Sequence, residues 1–282
     1  MSAARLPGDI REAVARALAE DVRDRDISAA LVAAADHAVA EVTIEESAIL
    51  CGTLWFDEVF RQLDTSVAVR WQAEDGADLR KHATVCSVSG PARALLSGER
   101  TALNFLQTLS ATATSAHRFT QAVQGTGARI LDTRKTLPGL RTAQKYAVRC
   151  GGASNHRAGL FDAVLIKENH IAALGGVAAA VKLAVRSTAG VPVLIEVEGL
   201  EQLREALETE ADRVLLDNLT VDELREAVVI RDAHTGGRME LEASGGVDLE
   251  TVRAIAKTGV DCISVGAITK NLSAINFSMR FV

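Results

Sequence analysis

Hydrophobic and polar positions along the chain keep two different rhythms, and the change falls near residue 115. Before it, a helical spacing over residues 9–20 gives way to alternation in AVAEVTIEESAIL (38–50), the two-residue period of a strand. FDEVFRQLD (56–64) returns to helical spacing. The runs VAVRWQAEDGADL (67–79) and ATVCSVSGPARALL (83–96) then read as strands, with Asp75-Gly76 as turn signal. TALNFLQTLSATATSAHRFTQAV (101–123) is predicted as one long helix that starts after Glu99 and Arg100 and ends near Gly125 and Gly127. Mixed helix and strand without regular alternation predicts an α+β domain over residues 1–115.

From residue 116 the pattern is regular. Short β-branched runs at 129–135, 162–167, 191–198, 213–218, 239–246 and 262–267 alternate with helical spacing near 139–151, 170–187, 199–209, 221–231 and 248–258. Such alternation means parallel strands joined by crossover helices, here over residues 116–269, with a tail at 270–282 expected to pack back on the first domain. Six strands are fewer than the eight of a closed barrel, so the pattern leaves an incomplete barrel and a doubly wound sheet both open.

Composition narrows the partners. Among 282 residues, 48% are hydrophobic and 24% charged, as in an ordinary folded globular protein. A net charge of −6 argues against a general nucleic-acid binder, which needs a basic surface. Cys51, Cys86, Cys150 and Cys262 form no metal-ligand spacing and are expected to be reduced. The N-terminal stretch lacks the apolar run of a secretory signal, and VAAAVKLAV (177–185) is broken by Lys182 and too short to span a bilayer. A cytoplasmic location and no membrane partner are therefore expected.

Candidate chemistry gathers at the C-terminal ends of the six parallel strands, the rim that carries the active site in α/β folds. These positions are Thr133, Arg134 and Lys135, then Lys167, then Glu196 and Glu198, then Asp217 and Asn218, then Ser244, Gly245 and Gly246, and finally Gly266. A single strand-end lysine or aspartate is more often a solvated terminus or a cap. All six ends being polar, with bases on the first two and acids on the next two, is not explained that way. Residues 129–170 carry eight Lys or Arg against three acids, a local +5 in an acidic chain. Arg141, Lys145 and Arg149, at helical spacing, fit an exposed helix face. Arg134, Lys135, Arg157 and Lys167 instead suit a ligand with several anionic groups. Glu196 and Glu198, two apart on a strand and beside Asp217, suit magnesium or sugar hydroxyls, and the glycines of ASGG and SVGA suit a phosphate.

DTRKTLPGLRTAQKYAVRCGGASNHRAGLFDAVLIKENHI, with ERTALNFLQTLSATAT upstream and EVE, LLDN, EASGG and ISVGAIT downstream in that order, resembles the quinolinate phosphoribosyltransferases. The likeness runs from about residue 89 to 270 and is loose over the first 80 residues. It implies a barrel of six strands, an N-terminal α+β sandwich, and a homodimer with shared active sites. It also implies quinolinate and phosphoribosyl diphosphate as substrates and Mg2+ as cofactor. By the same resemblance Arg100 enters the partner's pocket, while Thr133, Arg134, Lys135, His156, Arg157 and Lys167 hold carboxylates and phosphates. Glu196 and Asp217 face ribose and magnesium, and Ser244, Gly245, Gly246, Ser264, Val265 and Gly266 take the 5′-phosphate. Lys135, Glu196 and Asp217 are the catalytic candidates.

The reaction this implies joins the pyridine nitrogen to the ribose, releases diphosphate and carbon dioxide, and yields nicotinate mononucleotide for NAD biosynthesis. Three alternatives stay open: a related transferase acting on another base, a Schiff-base aldolase built on Lys167, and a phosphate-ligand sensor without turnover.

Overall fold

The computed structural model of the protein describes residues 7–188, 190–236 and 239–282. The chain forms two compact units: the first holds the chain up to His117 together with Thr136–Gly152 and Asn271–Val282, and the second holds Arg118–Lys135 and Ala153–Lys270. The division therefore differs from a single cut at residue 115, because residues 136–152 join the first unit.

The first unit contains α1 (Ile10–Asp21), β1 (His37–Ile44), β2 (Ala48–Ile49), α2 (Thr53–Leu63), β3 (Ala68–Trp71), β4 (Asp78–Leu79), β5 (Thr84–Pro91) and most of α3 (Ala92–Ala122). Residues later in the chain add α4 (Arg141–Cys150) and the last strand, β12 (Phe277–Phe281). An antiparallel sheet runs in the order β12-β1-β5-β3. In β1 the two-residue period buries Ala40, Val42 and Ile44 completely while Glu41 stays exposed. Those side chains share one core with Trp55, Phe56, Val59 and Phe60 of α2. Phe56 meets Phe60 and Trp71 edge-on with ring centroids 5.1 Å apart in each pair, which orients the helix on the sheet.

Three expectations for this region need correction. The strand over 38–50 breaks at the polar triplet Glu45-Glu46-Ser47 into β1 and the two-residue β2, which pairs only with β4. ARALL belongs to α3, which starts at Ala92 rather than after Arg100. Its Ala, Arg and Leu are strong helix formers, and Gly98 is no stop signal: a Cβ there would come within 2.6 Å of the Phe60 ring, so the glycine admits close packing. Finally, α4 is not an exposed cationic face. Tyr146 packs on Trp55 at 5.6 Å between centroids, and Lys145 is only 4% exposed.

The second unit holds β6 (Arg129–Leu131), β7 (Val164–Ile166), β8 (Val193–Val197), β9 (Arg213–Asp217), β10 (Glu240–Ser244) and β11 (Cys262–Ser264). Its helices are α5 (Glu168–Leu174), α6 (Val177–Ser187), α7 (Leu200–Leu207), α8 (Val221–Ala233), α9 (Val252–Ala256) and α10 (Ala267–Lys270). The expected helix over 170–187 is two helices, because Gly175 adopts a left-handed conformation at the C-cap of α5 and Gly176 precedes α6. The expected helix over 248–258 shrinks to α9, since Asp248 bonds the backbone of Glu250 and Thr251 in a turn.

All strand pairs here are parallel, in the order β6-β11-β10-β9-β8-β7. From β7 to β11 consecutive strands are neighbours, and the last strand, β11, pairs with the first, β6, which is the cyclic order of a barrel rather than the reversal of a doubly wound sheet. The ring stays open between β6 and β7; an isolated parallel bridge pairs Leu131 of β6 with Ser154, ahead of β7.

Candidate active site

Because the six strands are parallel, their last residues converge at one end of the open barrel. A cavity of about 420 Å³ lies there. It is lined by twelve of the fifteen candidate binding residues: Thr133, Arg134, Lys135, His156, Arg157, Lys167, Glu196, Asp217, Ser244, Gly245, Gly246 and Ser264. Three candidates lie elsewhere. Arg100 is exposed on α3 in the first unit. Val265 is fully buried and donates its backbone N–H to Leu131 O at 2.9 Å. Gly266 is not among the lining residues, although a Cβ there would come 2.9 Å from Lys135 Cδ, so the glycine leaves room for that lysine. Glu198 falls beyond the end of β8 and is exposed, so it does not share the face of Glu196.

The cationic side is assembled on the loops after β6. Asp132, fully buried, accepts the backbone N–H of His156 at 2.8 Å through Oδ1 and the Asn155 side chain at 2.6 Å through Oδ2. This fastens the SNHR loop against β6. Arg157 donates from Nη1 to Ala163 O at 3.2 Å. Burial, and next the charge of Arg134 beside it, push the Arg157 guanidinium below its ordinary value. Arg134 Nε is buried with no hydrogen-bond partner among the described residues. Two neighbouring guanidinium groups that repel each other, one with an unsatisfied donor, form an incomplete arrangement that an anion completes. Lys135 is held by its backbone, through N–H to Thr133 Oγ1 at 3.0 Å and O from Thr269 Oγ1 at 2.7 Å.

On the acidic side, Lys167 Nζ reaches both oxygens of Glu196, at 2.8 and 2.9 Å. Asp217 accepts from Asn218 Nδ2 at 2.8 Å, and Asn218 donates its backbone N–H to Ser244 O at 2.9 Å. Gly245 and Gly246 both have positive φ, at 100° and 59°, and turn the chain after β10.

Asn218, named with Asp217 at the end of the fourth strand, also lines the cavity, and three lining residues were not among the sequence candidates: Leu165, Leu215 and Glu242. Strand parity would have found all three. Leu165, Leu215 and Glu242 stand two residues before Lys167, Asp217 and Ser244 and so share their face. Glu242 is wholly buried at the cavity floor. Its Oε2 takes Arg213 Nη1 at 2.9 Å and its Oε1 lies 3.4 Å from His156 Nε2. Burial raises its pKa, against the pull of Arg213 and Ser264.

Known proteins share this arrangement. The domain family described as "Quinolinate phosphoribosyl transferase, C-terminal domain" matches residues 112–280, and its N-terminal counterpart matches residues 26–110. The nicotinate-nucleotide pyrophosphorylase (carboxylating) of Mycobacterium leprae is 41% identical over 275 residues, covering 95% of this chain and 96% of the relative. The probable enzyme of the same name from Bacillus subtilis is 39% identical over 262 residues, covering 92% and 89%. The solved nicotinate-nucleotide pyrophosphorylase of Francisella tularensis superposes with a TM-score of 0.94 at 43% identity, over 99% of this chain and 98% of that one. The chain belongs to the quinolinate phosphoribosyltransferase family.

Proposed function

We propose that the protein transfers the phosphoribosyl group of phosphoribosyl diphosphate to quinolinate and decarboxylates the product to nicotinate mononucleotide. The observation that carries this reading is the pair Arg134 and Arg157, with an unsatisfied buried Arg134 Nε and a desolvated Arg157 at the mouth of the open barrel. A pyridine dicarboxylate supplies the two adjacent anionic groups that this pair lacks. Lys135 and Lys167 add point charges for the second carboxylate and the diphosphate.

The pyridine nitrogen attacks the anomeric carbon as the bond to diphosphate breaks and its electron pair leaves with the diphosphate. Positive charge grows on the ribose meanwhile, and Asp217 and Glu196 face it from β9 and β8. The bound pyridinium then loses its 2-carboxylate as carbon dioxide, the electron pair staying on the ring carbon beside the cationic nitrogen until it takes up a proton. That step requires only positioning and charge, which fits a site rich in fixed ions.

The carboxylates of Glu196 and Asp217 are hard oxygen donors on adjacent strands and fit magnesium bound jointly with substrate oxygens, although Lys167 competes for Glu196. Such an ion would neutralise the leaving diphosphate. Two copies are proposed to pair so that the partner subunit's Arg100 completes each pocket, and the enzyme is proposed to work in the cytoplasm.

Incubation with magnesium, quinolinate and phosphoribosyl diphosphate should yield nicotinate mononucleotide, diphosphate and carbon dioxide in equal amounts. No product under saturating substrates would overturn the reading. Mixing inactive Arg100→Ala and Lys135→Ala chains under subunit exchange should restore about one working site per mixed dimer.

A further inference from the structure

Beneath the cavity, Glu242 presents an unexplained oxygen. Its side chain is fully buried, Oε2 is anchored to Arg213 Nη1 at 2.9 Å, and Oε1 has no hydrogen-bond partner among the described residues. A buried acceptor left open costs stability unless another group uses it. His156 Nε2 lies 3.4 Å from it, and the Ser264 hydroxyl also acts on the carboxylate.

The other ring nitrogen decides what Nε2 carries. Arg157 donates its backbone N–H to His156 Nδ1 at 2.7 Å, so Nδ1 must be an acceptor and holds no proton. A neutral imidazole then has its proton on Nε2, the ring nitrogen 3.4 Å from Glu242 Oε1. We propose that Glu242 is the positioning residue of this site: it holds His156 as the Nε2–H tautomer, which keeps Nδ1 free to accept from Arg157 and so fixes where Arg157 enters the pocket. This rests on the reading of the pocket as a quinolinate site only where substrate is concerned. The chain of contacts is complete without it: Arg213 orients Glu242, Glu242 orients His156, and His156 holds the backbone from which the Arg157 guanidinium projects. Asp132 grips the same loop from the other side through His156 N–H.

Replacement by glutamine separates this role from simple packing, because the amide has the shape of the acid but only one acceptor. If its oxygen faces Arg213, its NH2 faces His156 Nε2 and favours the Nδ1–H tautomer, which collides with the Arg157 N–H. If its oxygen faces His156, its NH2 points at a guanidinium. Only a carboxylate satisfies both neighbours. Removing Arg213 should therefore release the conflict.

The test combines nitrogen NMR of the imidazole, with His156 assigned by comparison with His156→Gln, and steady-state kinetics. The wild-type ring should show Nε2 protonated and Nδ1 bare, with or without substrate. Glu242→Gln should shift the ring toward the Nδ1–H form and raise KM for quinolinate about tenfold, the equivalent of about 1.4 kcal/mol, with kcat changed much less. The double variant Arg213→Met/Glu242→Gln should regain the Nε2–H form and most of the affinity. An Nδ1–H ring in the wild type overturns the proposal. So does a folded Glu242→Gln with unchanged tautomer and KM, or a folded double variant that stays in the Nδ1–H form. Because the NMR signature needs no substrate, a protein that failed to turn over quinolinate would disprove the enzymatic reading while leaving this test intact.

Discussion

Two polar clusters, one in each unit, serve opposite ends. In the first unit, Asp75 accepts the backbone N–H groups of Gly52 and Thr53 at the start of α2, at 3.0 and 3.2 Å through Oδ1, and the Tyr146 hydroxyl at 3.0 Å through Oδ2. Every oxygen of that carboxylate has a donor, and it ties three separate stretches of chain into one core. In the second unit, Arg134 Nε is buried with no hydrogen-bond partner among the described residues, and the charges of Arg134 and Arg157 repel each other in the cavity lining. Satisfied polar groups mark a structural joint, whereas unsatisfied ones of defined charge mark a place prepared for a ligand. Two further buried atoms in the first unit, Trp55 Nε1 and Arg149 Nε, depart from this pattern, and nothing in the structure explains them.

Substitutions in the two clusters should therefore fail in different ways. The largest effect is expected at Asp217→Ala, where loss of a carboxylate facing the cationic transition state should reduce kcat roughly 100- to 1,000-fold while quinolinate binding, read by calorimetry, stays nearly intact. Arg134→Ala should do the reverse, weakening quinolinate binding by about 1.5–3 kcal/mol, the worth of a charge-assisted hydrogen bond. If Asp217→Ala lost quinolinate as badly as Arg134→Ala in a folded protein, the separation of basic and acidic roles would be wrong.

Substrate choice sharpens the same contrast. Nicotinate lacks one of the two carboxylates and leaves a cation of the pocket unpaired, so its kcat/KM should fall at least about 100-fold below that of quinolinate. Comparable turnover would point instead to a relative that does not decarboxylate.

The structural cluster should respond in stability and not in chemistry. Asp75→Ala removes the acceptor for two backbone donors and a buried hydroxyl, and should cost about 1–3 kcal/mol, seen as a lower denaturation midpoint, with quinolinate affinity unchanged.

The smallest effect expected is a pH dependence. Burial raises the Asp75 pKa above its ordinary value despite its donors, so the folded state holds that proton more tightly than the unfolded chain. Stability contributed by this group should thus be greatest in acid and decline as pH rises from about the ordinary carboxylate pKa through the raised one. Asp75→Asn should flatten that part of the stability profile. An unchanged slope would mean that another group is responsible.

Much of the site was readable along the chain because strand ends in a parallel α/β fold converge whatever the loop details, so polar strand ends at 133–135, 167, 196, 217 and 244–246 identified the rim. The residues beneath the rim were harder. Glu242 looked like one more strand residue, since its meaning comes from Arg213 on β9 and His156 on a loop about 90 residues earlier in the chain. Asp132 was likewise read only as a charge, not as the clasp of the SNHR loop. α4 was misread for the same reason: its cationic spacing suggests an exposed face, while Tyr146 and Lys145 are buried in the first unit.

Periodicity by itself determined the two rhythms, the six parallel strands and the basic-to-acidic order of their ends, because side-chain alternation and helix spacing are local properties of the backbone. Tertiary structure alone decided that the last strand of the parallel sheet pairs with its first, that residues 136–152 and the last strand of the chain join the first unit, and which buried charges are satisfied. Those outcomes depend on pairings between residues far apart in sequence, whose partners are fixed by packing and by burial of charge rather than by any local pattern.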